Sequence, residues 1–334
     1  MAVQTVPRRS VASEVATILD SPEVVALVAE LDALRWVGRR GYGARAMLGA
    51  CIVKALYALP TWTRVADLIA EHPGLSDALG GTPSHWACYR FARKLRAERE
   101  VLAGCLDALA ASLREQYPEM GREVAIDASD IPAYGNGQRY IYNGGPERQV
   151  YSDPDASWGH RSAVSTRKGG GFYGYRIHAA VCAVTGLPLA WRVETARSHE
   201  SNYVAPLLDA ARARGFNPQT AAMDMGYDNG RVYAECAERD VVPIVPLRRN
   251  SGHRDASIAR KSDEWRSLYR RRSAVEREFG RLKHHYGLAM LRVRGIERVR
   301  LHADLTVLSR LALELARART SSDGGRTSEP CPRR

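Results

Sequence analysis

The chain has few lysines and no patterned cysteines. Only five of its 49 basic residues are lysine (Lys54, Lys94, Lys168, Lys261, Lys283), and the rest are arginine. Its six cysteines (Cys51, Cys88, Cys105, Cys182, Cys236, Cys331) include no CxxC pair and no tight Cys/His group. That argues against zinc fingers and disulfide frameworks and fits a reducing compartment. No apolar run reaches the roughly 18 residues that a membrane span needs. The N-terminus also lacks the charged-then-apolar pattern of a secretory signal, so a cytoplasmic protein is expected. Internal repeats are absent.

What is present is positive charge. The 334 residues carry a formal net charge of +12, with 45% hydrophobic residues and a pI near 9.6. That length and apolar content suit two domains with proper cores. The charge favours a polyanionic partner, nucleic acid first, because each neutralised phosphate releases counterions.

Apolar spacing predicts helices over Val11–Leu19, Pro22–Leu34, Ala44–Ala58, Trp62–Glu71, His85–Glu98 and Val101–Gln116. Ser21 and Ser84 are expected N-caps. The pattern changes at Arg122. Strands are expected over Glu123–Ala133, Phe172–Thr185 and Leu187–Thr195, the last two forming a hairpin around Gly186. Helices (Ser201–Arg214, Asn229–Arg239) then alternate with strands (Thr220–Gly226, Val241–Leu247), and helices near Ser267–His285 and Ile296–Arg319 close the domain. The expected organisation is an all-α domain over 1–120, a mixed α/β sheet covered by helices over 121–320, and a polar, disordered tail over 321–334. Residues 135–171, rich in Gly, Asn, Ser and Asp, read as a long mobile loop.

The most informative segment is Tyr269-Arg-Arg-Arg272-Ser-Ala-Val-Glu276-Arg-Glu-Phe-Gly-Arg-Leu-Lys283. With Tyr269 set to zero and ~100° per residue, Arg272 falls near ~−60°, Glu276 near ~−20° and Lys283 near ~−40°. Leu268, Val275, Phe279, Leu282 and Tyr286 share the neighbouring apolar stripe. Glu278 falls on the far side, and Arg270, Arg271, Arg277 and Arg281 cover the remaining surface. Two readings stay open. One is a solvated helix in which Arg272–Glu276 is an ordinary i,i+4 pair. In the other, the polar stripe is half buried beside the core face and points into a cleft.

Two strand acids bear on that choice. Asp127 interrupts the apolar run Glu123-Val-Ala-Ile-Asp127, and Asp224 ends the run Thr220-Ala-Ala-Met-Asp224. A lone buried carboxylate is costly unless it is paired or bound to a metal. Asp130 reads as a turn residue at the strand's exit. Asp228 reads as an N-cap for the following helix, and a capping role is also open for Asp224. Single histidines without ligand spacing (His160, His178, His199) read as structural.

Together these residues resemble the Y-x2-R-x3-E-x6-K (YREK) signature and the two acidic motifs of DDE transposases from bacterial insertion sequences. Phe172–His178, Thr185–Ala190 and Ser198-His199-Glu200 are similar to further family segments, and the resemblance covers about residues 122–315. Ala128 departs from the glycine that many members carry after the first Asp. The spacing leaves no room for the large β insertion that some relatives have before the Glu.

The resemblance implies an RNase H-like sheet flanked by helices, with Asp127, Asp224 and Glu276 as catalytic ligands of two Mg²⁺ ions, for which Mn²⁺ substitutes. It also implies that Tyr269, Arg272 and Lys283 hold DNA phosphates. Strand cleavage at the element's ends would then be followed by 3′-OH transfer into target DNA. Residues 35–98 resemble the family's helical N-terminal region, through Arg39-Arg-Gly-Tyr-Gly, Lys54-Ala-Leu-Tyr-Ala-Leu-Pro and Thr82-Pro-Ser. There the helix bearing Arg90, Arg93, Lys94 and Arg96 could enter a major groove, the alternative being a solvated face. The implied partners are terminal inverted repeats, target DNA and at least one further copy of the chain in a synaptic complex. No membrane and no small-molecule substrate are expected, and the implied location is the bacterial nucleoid. Two other functions fit the same residues: an RNase H-like nuclease that only hydrolyses DNA, and an inactive transposase-derived DNA-binding protein.

Overall fold

The computed structural model describes residues 10–34, 41–137, 139–141, 149–161, 168–249 and 257–323. Arg39, Arg40 and residues 324–334 of the expected tail lie outside them. Two compact units emerge, Met1–Leu109 with Leu308–Arg334, and Ala110–Val307.

The first unit is helical: α1 (Val11–Leu19), α2 (Pro22–Ala33), α3 (Ala44–Leu56), α4 (Trp62–Glu71), α5 (Pro73–Leu79), α6 (His85–Leu95) and the start of α7 (Arg99–Gln116). Helix α3 is buried nearly all round and contacts α1, α2, α4, α5 and α6, as expected of a helix with little polar face. A Cβ on Gly49 would stand 2.6 Å from Leu79 Cγ, so α5 approaches α3 closely only because position 49 is glycine. Helix α5 is too short for apolar periodicity to reveal, although Pro73 at its start and Gly80 (φ 72) at its end are the usual boundary residues.

The second unit holds the sheet: β1 (Glu123–Pro132), β4 (Ser157–Arg161), β5 (Gly170–Cys182), β6 (Pro188–Thr195), β7 (Thr220–Ala222) and β8 (Val242–Ile244), with β2 (Arg139–Ile141) and β3 (Gln149–Tyr151) as a separate pair. Strand β1 is central, antiparallel to β5 and parallel to β7, which is parallel to β8. The order β6-β5-β1-β7-β8 is that of an RNase H-like sheet. The outer edge of β5 is shared, with Gly170–Gly174 pairing β4 and Tyr175–Val181 pairing β6. The expected loop over 135–171 therefore contains three strands. The Gly- and Ser-rich sequence around them hides them, because β2 and β3 have three residues each and β4 is short and alternates half-buried with exposed positions.

Helices α8 (Val204–Ala213) and α9 (Gly230–Ala237) link the later strands. The expected single helix over Ser267–His285 is three pieces: α10 (Asp263–Arg270), α11 (Ser273–Gly280) and a π-helical turn, Arg281–His285. Helix α12 (Ile296–Asp323) continues past Ser321. The β1 core residues Val124, Ala125 and Ile126 are almost fully buried. Each large apolar side chain so buried contributes about 1.5–3 kcal/mol, which fixes the strand that carries Asp127.

Candidate active site

Parallel pairing places the two strand aspartates at one end of the sheet. The β1–β7 ladder joins Glu123 to Thr220, Val124 to Ala221 and Ala125 to Ala222, and then stops. Asp127 and Asp224 share that same sequence offset, so they lie two residues beyond the last ladder pair on adjacent strands. The chain leaves β7 for a 3₁₀ turn, Met225–Tyr227, capped by Asp224, whose Oδ1 accepts from Gly226 N at 2.7 Å. The capping role left open for Asp224 is thus real, and it occupies one oxygen.

Asp127 Oδ1 accepts from Ala128 N at 2.8 Å, and Oδ2 lies 3.7 Å from Arg272 Nη1. Burial pushes the Asp127 carboxyl up to about 7, and the negative charges of Asp224 and Glu200 push in the same direction. Sequence alone marks Glu200 only as part of a family-like triplet. It opens the 3₁₀ turn Glu200–Tyr203 that follows β6, which ends at the same edge of the sheet as β1 and β7. That turn packs against Met225–Tyr227. Burial and Asp224 also raise the Glu200 carboxyl.

Arg176 on β5 offsets part of this charge, reaching Glu200 Oε1 at 3.2 Å and Asp130 Oδ1 at 3.8 Å. Asp130 is therefore a strand residue with two arginine partners, the second being Arg161 at 3.3 Å, and not the expected turn residue. Asp228 does not cap α9: Asn229 does, and Asp228 Oδ2 accepts from Arg248 N at 2.8 Å. His178 is buried and stacked on Tyr203, with ring centroids 4.1 Å apart. His199 caps the turn after β6, and His160 lies on β4.

The junction of α10 and α11 docks on the Asp127 face of β1. Glu123 and Asp127 are four residues apart on a strand, hence on one face. Arg271 pairs with Glu123 and Arg272 reaches Asp127, so Arg271 is not the surface filler that the helical projection makes it. The break follows from tightened winding. Arg272 N bonds Tyr269 O and Val275 N bonds Arg272 O, both i→i+3, which advances each residue by more than an α-helix does. The π turn then loosens it, Tyr286 N bonding Arg281 O.

Tyr269 to Lys283 is therefore not one continuous α-helix. Arg272 Nη2 donates to Glu276 Oε1 at 2.7 Å. The Glu276 side chain is 53% exposed, more open than the half-buried stripe requires. Tyr269 stacks on Trp265 with centroids 4.9 Å apart and lies 5.9 Å from the Arg272 guanidinium. Lys283 is half-buried in the π turn. Glu278 is fully buried and paired with Arg281 at 3.0 Å. Arg281 in turn lies 3.2 Å from the Cβ position of Gly186, in the β5–β6 turn at the opposite end of the sheet.

In the helical unit, α6 exposes Trp86, Tyr89, Arg90 and Arg93, while Cys88, Phe91 and Leu95 are buried. Lys94 is half-buried. Sequence reasoning catches the arginines and misses the aromatics, although positions 86, 89, 90 and 93 share one helical stripe.

The family model described as "Transposase DDE domain" matches residues 118–311, more than half of the chain. The chain belongs to the DDE transposase domain family. No curated protein matches it. Among solved structures, a cryo-EM piggyBac transposase synaptic complex with hairpin DNA is similar at 11% identity and a TM-score of 0.44, over 95% of this chain and 77% of that one. At that score the likeness carries no argument.

Transposases of this family generally use divalent metal ions. The donors here fit such an ion in kind: carboxylate oxygens, hard ligands for a hard cation, gathered where their mutual repulsion leaves a demand for positive charge. In spacing the fit is incomplete. Among the described residues, no three His, Cys, Asp or Glu side chains stand close enough to hold a metal. Arg272 lies between Asp127 and Glu276 and supplies positive charge there itself.

Proposed function

We propose that this chain is an insertion-sequence transposase whose metal-binding carboxylates are Asp127, Asp224 and Glu276, acting with Mg²⁺. The observation that carries the reading is the matched register of Asp127 and Asp224 at the end of the parallel β1–β7 ladder, with Glu276 linked to Asp127 through Arg272. Glu276 is preferred to Glu278, which is neutralised by Arg281 against the far end of the sheet.

When bound, a pair of divalent ions would activate the attacking oxygen and stabilise the leaving one in in-line displacement at phosphorus. The chain's own residues orient and neutralise. Gly226 N holds one Asp224 oxygen, leaving the other as a candidate metal ligand. Arg176 restrains Glu200. Arg272, Tyr269 and Lys283 would hold phosphates of the cleaved strand, which requires Arg272 to exchange Glu276 for a phosphate, a ligand its planar fork suits. The chain would then cut at the element's ends and join the freed 3′-OH to target DNA. The helical unit would bind terminal inverted repeats through α6 (Arg90, Arg93 and Lys94), and synapsis would bring two copies together.

The test uses the full chain, a duplex carrying the sequence that flanks its gene, and a supercoiled plasmid target in Mg²⁺. Joined product supports the proposal. Hydrolysis without joining would make the chain a nuclease, and binding without cleavage would make it a DNA-binding descendant.

A further inference from the structure

A second arginine-rich feature lies on the α/β unit, away from the carboxylates. Tyr134, two residues past the end of β1, is 41% exposed. Two guanidinium groups flank its ring, that of Arg292 at 5.1 Å and that of Arg294 at 5.3 Å from the ring centroid. Arg294 Nε also donates to Tyr134 O at 3.0 Å, and Arg298 Nη1 donates to Arg294 O at 3.1 Å.

The segment is held in place just beyond these arginines. Gly295 N donates to the buried Asp153 Oδ1 at 3.1 Å, and Ile296 N to Asp155 Oδ2 at 2.9 Å. Tyr175 OH donates to the same Asp153 oxygen at 2.8 Å. Two like charges are thus held together on a fixed aromatic plate, and among the described residues neither is engaged in an ion pair. Cation–π contact stabilises each only modestly, and paired guanidinium forks suit bidentate contact with phosphate.

We propose that Tyr134, Arg292 and Arg294 form an anchoring site for the phosphate backbone of duplex DNA, distinct from the reaction centre. The proposal rests on the transposase reading and adds a second point of attachment to it. Along extended backbone, the seven residues from Asp127 to Tyr134 span at most about 23 Å, or roughly seven base pairs at 3.4 Å each. DNA held at the carboxylates would therefore meet this plate within one helical turn. Tyr134 fixes the two guanidiniums, and they touch the phosphates.

The salt dependence of affinity for a labelled linear duplex of arbitrary sequence, measured with the full chain, tests this. The double substitution Arg292→Gln/Arg294→Gln should make the slope of log K against log salt shallower by about 1.8, two phosphates at ~0.9 each. Arg292→Gln alone should change it by about half as much. Tyr134→Phe should keep the wild-type slope, and Tyr134→Ala should weaken binding. A control pair, Arg122→Gln/Arg231→Gln, removes arginines already bound to Glu119 and Glu235 and should leave the slope unchanged. An unchanged slope in the Arg292/Arg294 variants, or an equal change in the control pair, overturns the anchoring site alone. Failure of the wild type to bind duplex DNA would overturn the transposase reading as well.

Discussion

Arg272 donates to Glu276 at 2.7 Å across one helical turn, and the same guanidinium stands 3.7 Å from Asp127. A cation of the protein's own therefore lies between two of the three carboxylates proposed to hold metal. It opposes any metal ion entering the same space, because like charges at such range in a partly buried site repel.

Removing that charge should strengthen metal binding in the absence of DNA. For Arg272→Gln, calorimetric titration with Mn²⁺ should give an affinity several-fold higher than wild type, about 1 kcal/mol for a fivefold change, while strand cleavage falls. An affinity equal to or weaker than wild type would show that Arg272 does not compete with the metal.

Gly226 offers a way to move Asp224 without replacing it. A Cβ at position 226 would stand 2.7 Å from Asp224 Oδ1, too close for the carboxylate to keep its bond to Gly226 N. Gly226→Ala should lower the cleavage rate at least tenfold, about 1.4 kcal/mol of transition-state stabilisation, with a melting temperature near that of wild type. Wild-type cleavage by this variant would mean that the Asp224 orientation is unimportant.

His178 should make the fold acid-sensitive. Among the described residues both of its ring nitrogens are unpartnered, and burial, with Arg176 nearby, lowers its pKa to about 3. The unfolded chain binds a proton near 6.5 and the folded chain does not, so stability falls as pH drops from about 6.5 toward 3. The slope is about 1.4 kcal/mol per unit once the unfolded histidine is charged. Urea unfolding at pH 6.5 and pH 5 should show wild type losing about 1–2 kcal/mol more than His178→Phe. Equal losses would contradict this.

On α6, aromatic and basic residues should divide their roles. Arg90→Ala and Arg93→Ala should weaken binding to any duplex and make its salt dependence shallower by about 0.9 for each phosphate no longer neutralised. If α6 enters the major groove as proposed, Trp86→Ala should reduce discrimination between gene-flanking and arbitrary DNA, because an exposed indole there would pack on base edges. If Trp86→Ala weakens both equally, the ring has no part in sequence preference.

Much of this is legible in the residues because one strong pattern governs it. Apolar runs broken by a single acid mark both Asp127 and Asp224, and the parallel register that aligns them is a consequence of the same runs forming β1 and β7. Helices α1 and α4 appear over the expected spans because each has a full period and an N-cap that bonds its first turn. Projection fails where winding is not α-helical. Local i→i+3 and i→i+5 bonds around Arg272 and Arg281 leave no trace in apolar spacing, so a constant step of ~100° misses the break between the helices and the Arg271–Glu123 pair. Glu200 is hidden for another reason. Its charge matters only through the turn that packs beside Asp224, a tertiary contact between segments far apart in sequence.

Glu276 is the carboxylate proposed to complete the set with Asp127 and Asp224. Strand transfer by Glu276→Gln, with gene-flanking duplex and plasmid target in Mg²⁺ or Mn²⁺, tests it most directly when duplex affinity is measured in parallel. Wild-type DNA binding and no joined product with either metal are expected. Joined product at the wild-type rate would contradict it.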